Sequence, residues 1–332
     1  MTKLSDIARI SSVSVSTVSK ALRNSSDLNR ETAKRIQEVA HRLGYQSKSM
    51  PKTANHLSRF VGIICPEIRS NFYSQVATKI TQMLFEQNIG TILCFTDFSV
   101  EKELQYLRMM CDKKVSGIFC LTEDPITWRN IRNAIDTNGV PVVQLGINVE
   151  ANEFDNIFVD DNAGIEYAIA HLVDLGHREI AFIGDSYARN RLEGFKNSMA
   201  MHGLPVKSQY ICIDYERFER CGYNQMSHLL ALPNPPTAVL AQYDEIAVGA
   251  MRKLGEKGYH VPRDISIVGM ENVTFSSFTS PALTTVAGHI DEMSRIAIEL
   301  LMHKISDKEY RLVQRIQLIP ELLIRETTGP VS

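Results

Sequence analysis

The stretch Ser14-Val15-Ser16-Thr17-Val18-Ser19-Lys20 places hydroxyls, a methyl-bearing side chain and a cation within two helical turns. Apolar Val18, Ala21 and Leu22 take one side of that helix, which turns Val15, Ser16 and Lys20 outward near its start. Such side chains can read base edges in a DNA major groove. Val15 would lie against a thymine methyl, Ser16 would bond either base type, and Lys20 would donate to guanine O6 and N7. Ser14, Thr17 and Ser19 suit phosphate contacts or helix capping, which position a protein on a duplex without specifying its sequence.

Helices must present these residues, and the apolar spacing supplies them. Leu4, Ile7, Ala8 and Ile10 predict one short helix, and Val15, Val18, Ala21 and Leu22 a second, with a break at Ser11-Ser12-Val13-Ser14. A third helix is predicted over Arg30–Leu43, with Asn29 as its N-cap and Gly44 past its end. Three amphipathic helices in under 50 residues fit a helix-turn-helix module, although helical spacing alone also fits any small polar three-helix unit.

Charge separates this head from the rest. The 332 residues carry 36 Lys+Arg and 38 Asp+Glu, a formal net charge of −2. Residues 1–48 hold nine basic and four acidic side chains, or +5, and the remainder holds −7. A basic head on an acidic body points to a polyanion partner for the head alone. No run approaches the ~20 apolar residues that span a bilayer, and no secretory leader is evident, so a cytoplasmic protein without membrane contact is expected. The six cysteines are scattered, mostly in apolar runs, with no C-x-x-C pair, which favours buried thiols over a metal site or disulfides.

From Phe60 onward short β-rich runs alternate with helical stretches, as in Val61–Cys65, a helix near Tyr73–Gln87, Thr91–Phe95, a helix over Val100–Asp112, Gly117–Leu121, a helix near Trp128–Asn138, and Pro141–Leu145. A second series runs from Asn162 to Val268. Each series predicts a parallel sheet covered by helices on both faces, so two doubly wound lobes are expected, with ligands bound at the carboxyl ends of the strands. Nucleotide-binding glycine loops, metalloprotease H-E-x-x-H and the G-x-S-x-G nucleophile elbow are all missing from the sequence. An enzyme is therefore not expected, nor a cofactor or metal. Asp161 reads as a lobe crossover or helix N-cap, and His171 and His177 as capping or packing residues.

The order of motifs carries a resemblance. Leu4-Ser5-Asp6-Ile7-Ala8, Val13-Ser14-Val15-Ser16-Thr17-Val18-Ser19-Lys20, Leu43-Gly44-Tyr45, Arg191-Leu192-Glu193-Gly194-Phe195, Val261-Pro262-Arg263-Asp264-Ile265-Ser266-Ile267-Val268-Gly269 and Pro281-Ala282-Leu283-Thr284-Thr285-Val286 occur collinearly. Together they resemble the LacI/GalR family of bacterial transcription regulators over essentially residues 2–329. The resemblance implies a small all-α helix-turn-helix head on an α/β periplasmic-binding-protein-like core of two doubly wound parallel-sheet lobes. It divides the chain into a DNA-binding head (1–47), a hinge linker (48–59) and an effector-binding, dimerising core (60–332). The N-lobe is expected at about 60–160 and 290–317, and the C-lobe at about 161–289 and 318–329.

It adds Ser5 and Asn24 to the DNA-contacting set. The family's minor-groove wedge falls at Ala54 here, and Pro51 suits only the first turn of a helix, so a hinge helix is expected to start near Pro51 with Leu57 as its wedge, the alternative being a linker that merely tethers. Lys20 replaces the usual Arg, and Ser12 stands where the family's turn has Gly. The implied partners are double-stranded operator DNA, a second copy of the chain and a small effector of the sugar, sugar-phosphate or nucleoside class. A protein co-regulator in place of a cleft ligand is the alternative, and a cytosolic solute-binding protein a further one.

For the effector site the resemblance assigns Arg191, whose guanidinium should fork onto hydroxyls or an anionic oxygen, with Phe72 and Tyr73 walling the first lobe. Gly146, Tyr243 and Glu271 stand where relatives have Asp, Asn and Asp. Tyr243 is expected to stack on a ligand ring, and Glu271 to accept from hydroxyls or pair with Arg191. Lys20→Ala is expected to weaken binding to operator DNA more than to random DNA in titrations at fixed salt; equal losses would make Lys20 a phosphate contact.

Overall fold

The computed structural model describes residues 4–22, 28–43, 59–121, 139–146, 154–187 and 189–331. They fall into two units, residues 1–58 and 59–332.

In the first unit α1 (Leu4–Ser11), α2 (Val15–Leu22) and α3 (Arg30–Arg42) close around Ile7, Ala8, Val18, Ala21, Ile36 and Ala40. Ser12 makes the turn between α1 and α2 at φ +55°, a left-handed conformation in which a serine is strained and glycine is not. Ser14 Oγ accepts from the Thr17 N–H at 3.1 Å, and Asn29 Oδ1 accepts from the Glu31 N–H at 2.8 Å, so each of the later two helices is capped by its preceding polar residue. Gln37 Nε2 donates to the Ala21 carbonyl at 3.0 Å, satisfying one of the open carbonyls at the end of α2. Asn24 and Leu57, with residues 44–58, lie outside the described residues. Arg59, which the sequence places in the linker, already opens a strand.

The second unit begins with β1 (Arg59–Cys65), α4 (Asn71–Glu86), β2 (Ile89–Phe95), α5 (Val100–Asp112), β3 (Gly117–Cys120), β4 (Val142–Gly146) and β5 (Asp155–Val159). It continues with α6 (Asp161–Asp174), β6 (Ile180–Asp185), α7 (Arg189–Met201), β7 (Ile211–Asp214), α8 (Phe218–Leu230), β8 (Ala238–Ala241), α9 (Asp244–Glu256), β9 (Ser266–Met270) and β10 (Thr284–Ala287). The closing elements are α10 (Ile290–Ser306), β11 (Arg315–Leu318) and β12 (Glu321–Leu323). The helix expected at 128–138 lies outside the described residues.

Two six-stranded sheets result, ordered β11-β5-β4-β3-β1-β2 and β12-β10-β9-β8-β6-β7. Every pairing is parallel except β10 with β12, which is antiparallel with Thr285 opposite Leu323, so the second sheet is not wholly parallel. The chain crosses between the sheets after β5, before α10 and between β11 and β12. Apolar clusters lie on both faces of each sheet: Val61, Ile63, Phe119 and Leu145 pack against α4 and α10, and Ile64, Ile118 and Cys120 against α5. Ala181, Val239 and Ile267 face α8 and α9, and Phe182, Leu240 and Val268 face α6 and α7.

Strands β5, β10 and β11 escape the apolar-run reading. In β5 the first two residues are polar and yet buried. Asp155 takes an ion pair from Lys304 Nζ at 2.8 Å and accepts from the Gln314 N–H at 2.8 Å, so partners distant in sequence make its burial tolerable. His177 is likewise a packing residue. Its ring nitrogens reach Thr237 Oγ1 at 2.9 Å, and Ser266 Oγ and the Gly329 carbonyl at 3.0 Å.

Helices α8 and α9 approach so closely that Gly222 and Gly249 leave no room for a side chain: a Cβ at Gly222 would run into the Ile246 carbonyl, and one at Gly249 into that of Glu219. Gly255, also in α9, has nothing within 4 Å of such a Cβ. Urea denaturation is expected to show Gly222→Ala and Gly249→Ala losing roughly 3 kcal/mol through overpacking. Gly255→Ala should be neutral or gain up to about 1 kcal/mol from helix propensity.

Candidate functional site

Two separate surfaces carry the candidate chemistry. On the head, Val15, Ser16 and Lys20 are exposed on α2, Thr17 and Ser19 are half-buried beside them, and Ser5 is exposed on α1. Ser14 is held as the cap of α2, its Oγ also 2.7 Å from Ser16 Oγ and 2.8 Å from Thr17 Oγ1. The hydroxyls therefore form one cluster at the start of the helix, and burial of Val18 and Ala21 keeps that face turned outward. Arg9, Lys34, Arg35 and Arg42 are exposed on the same unit, which supplies positive charge for a phosphate backbone.

On the core, a cavity of about 740 Å³ opens between the two lobes. The end of β4 and the turns that follow β1, β2, β3, β5, β6, β7, β8, β9 and β10 all contribute to its wall, so it occupies the position expected for a ligand site in doubly wound sheets. Phe72, Tyr73, Gly146, Arg191, Tyr243 and Glu271 all line it. Its first-lobe side is largely apolar, formed by Phe72, Tyr73, Phe98, Leu121 and Leu145, and its second-lobe side is charged, formed by Asp161, Arg191, Arg217 and Glu271.

Arg191 lies in the first turn of α7. Its Nε donates to Asp161 Oδ2 at 3.1 Å and its Nη2 to Asp161 Oδ1 at 3.3 Å; Nη1 donates to Glu271 Oε1 at 3.0 Å and to the Gln242 carbonyl at 2.6 Å. The guanidinium expected to fork onto a ligand is here forked onto two carboxylates. Burial alone would lower its pKa, and the charges of Asp161 and Glu271 overturn that and raise it. Asp161 is thus a cleft residue rather than the helix cap. The cap of α6 is Asp160, which accepts from the Ala163 N–H at 3.0 Å.

Glu271, at φ +98°, takes the Arg191-pairing role of its two expected ones. Burial pushes its carboxyl up to about 8, against the pull of Arg191 and with help from Glu245 and Asp244. Asp244 is pushed up to about 7, again by burial, although Thr285 and the Val273 N–H stabilise its charge.

Tyr243 places its ring and its hydroxyl in different surroundings. Its ring lines the cavity with its centroid 5.9 Å from that of Phe218, while its hydroxyl donates to the fully buried Asp185. Gly146 sits at φ +102°, and any Cβ there would lie 3.3 Å from the Phe72 ring, so Phe72 fills the space that an aspartate would use. Sequence reasoning missed Asp185, Arg217, Glu67, Phe98 and Tyr187. Their only signal was position at or just after the end of a strand.

Burial pushes all six thiols upward. Among the described residues no group of three or more His, Cys, Asp or Glu could hold a metal ion, and no helix is long and apolar enough to cross a membrane.

A helix-turn-helix unit followed by a two-lobed core with a cleft is the architecture of a ligand-responsive DNA-binding regulator. Residues 3–48 match the family described as bacterial regulatory proteins, lacI family, and residues 169–328 match the periplasmic binding protein-like domain. The chain is 28% identical to the HTH-type transcriptional repressor PurR of Vibrio cholerae serotype O1, covering 100% of this chain and 99% of that protein. It is also 28% identical to catabolite control protein A of Priestia megaterium, covering 97% and 98%. A LacI family transcriptional regulator from Enterococcus faecium with bound ribose is similar in structure, with a TM-score of 0.73 at 28% identity over 82% of this chain and 100% of that one. The chain belongs to the LacI/GalR family of bacterial transcription regulators, and it is a DNA-binding regulator rather than an enzyme.

Glu271 and Asp244 set a pH dependence. Between about pH 4 and pH 8 the unfolded chain has released protons that the folded core retains, so the folded state binds more protons and its stability falls as pH rises. Urea melts from about pH 5 to pH 8.5 are expected to show this decline, and Glu271→Gln should flatten its upper part.

Proposed function

We propose that the chain is a repressor that binds a pseudo-palindromic operator as a homodimer, in the cytoplasm, and that a small molecule in the inter-lobe cleft controls it. Two copies would present two heads, with Val15, Ser16 and Lys20 of each α2 in successive major grooves. An effector that prefers one degree of lobe closure would shift the population of DNA-competent molecules.

The observation that carries the effector reading is the roughly 740 Å³ cavity with one apolar wall and one charged wall. A ligand with an apolar face and a hydroxylated edge fits it: the face against Phe72 and Tyr73, and the hydroxyls toward Asp161, Arg191 and Glu271. The Arg191 guanidinium already has its donors taken by Asp161 and Glu271, which favours an uncharged sugar or nucleoside over a sugar phosphate. The ribose bound by the Enterococcus regulator supports the same class.

The test is a thermal-shift screen of the full chain against sugars, nucleosides and sugar phosphates. A ligand at 100 times its Kd stabilises by about 2.7 kcal/mol. The expected result is a shift with a neutral hydroxylated compound that is lost in Arg191→Ala while DNA affinity is retained. A shift with phosphorylated compounds alone would overturn the ligand class, and an unchanged shift in Arg191→Ala would remove that residue from the site.

A further inference from the structure

Beside the residues assigned to the effector, the two lobes touch each other directly through side chains. Arg217, at the start of α8, donates through Nε to Asp185 Oδ2 at 3.0 Å in its own lobe and through Nη1 to Glu67 of the other lobe. Phe98 from the first lobe stacks on Tyr187 of the second, centroids 4.1 Å apart and planes 24° from parallel. The Arg217 guanidinium lies 5.1 Å from the Phe98 centroid and 4.9 Å from that of Tyr187. One cation thus bridges an acid from each lobe and sits against one ring from each.

We propose that Glu67, Arg217 and Asp185, with the Phe98–Tyr187 stack, form a latch that holds the lobes closed with no effector bound. The side chains of Arg217, Glu67 and Asp185 are 19%, 12% and 0% exposed, so their attraction is little screened by water. Asp185 organises both parts: Oδ2 anchors Arg217, and Oδ1 accepts from the Tyr187 N–H at 2.9 Å. Tyr243 steadies this acid by donating its hydroxyl to Oδ2, which gives the departure from the family's Asn a positioning role.

The arrangement has two stable outcomes. On opening, Glu67 and Phe98 leave with the first lobe and regain water, while Arg217 keeps Asp185 and is never a buried unpaired charge, the state that would cost several kcal/mol. A second polar contact, Asn71 Nδ2 donating to Glu245 Oε1 at 2.6 Å, also joins the lobes. The regulatory consequence, that an effector acts on a closed resting state, rests on reading the cleft as an effector site. The latch itself is measured without ligand.

The test uses the full chain with spin labels at Arg108→Cys on α5 and Arg220→Cys on α8, both exposed positions, diluted into unlabelled chain. The native thiols are buried. Pulsed dipolar spectroscopy is expected to give one short inter-lobe distance for the parent. A longer-distance population at least about tenfold larger is expected in Glu67→Gln, Arg217→Ala and Tyr187→Ala, and a smaller increase in Tyr243→Phe. Lys207→Ala, which breaks an ion pair to Glu179 within one lobe, should leave the distribution unchanged. Glu67→Gln keeps the side chain's shape and leaves Arg217 paired with Asp185, so the fold is expected to be retained. An unchanged distribution in Glu67→Gln and Tyr187→Ala, or a parent already open, overturns the latch whatever the ligand screen returns.

Discussion

A guanidinium placed between two carboxylates is the constraint from which the core's cleft is built. Arg191 comes from α7, Asp161 from the crossover into the second lobe, and Glu271 from the turn after β9. A buried cation must be paired and hydrogen-bonded to be tolerated, so these three segments are held in register by the cost of separating them. The Gln242 carbonyl, also bonded to Arg191, adds the turn after β8. Four segments distant in sequence thereby define one wall, and the rise of the Glu271 carboxyl to about 8 marks how little water reaches it.

The opposite wall follows a different logic. Phe72 and Tyr73 meet edge to face with centroids 5.5 Å apart, and Phe72 occupies space that Gly146 leaves open. An aspartate there would have offered a ligand two acceptor oxygens; a ring offers only a face. The three departures from the family pattern act together: Gly146 makes one wall apolar, Glu271 accepts from Arg191, and Tyr243 turns its hydroxyl to Asp185.

The head needs only local packing. Among the described residues a cluster of six buried apolar side chains and the Ser14 and Asn29 caps hold the three short helices, and the outward face of α2 is set by which residues the core removes from it. That economy is why its chemistry is readable in a short stretch of sequence. The core depends instead on contacts across more than 100 residues, such as Asp155 with Lys304 and Glu67 with Arg217.

The sequence by itself determined the three head helices with their Ser14 and Asn29 caps and the alternation of strands and helices. These follow from periodicity and capping chemistry, all written in neighbouring residues, whereas Phe72, Tyr73, Gly146, Arg191, Tyr243 and Glu271 were singled out for the cleft by the family resemblance. Only the tertiary structure decided that β5 is a strand despite its leading Asp155 and Asn156, that β12 runs antiparallel, and that Asp161 rather than Asp160 faces Arg191. It also decided that Tyr243 serves Asp185. The physical reason is the same in each case: a polar side chain's role is fixed by the partner that makes its burial tolerable, and that partner lies elsewhere in the chain.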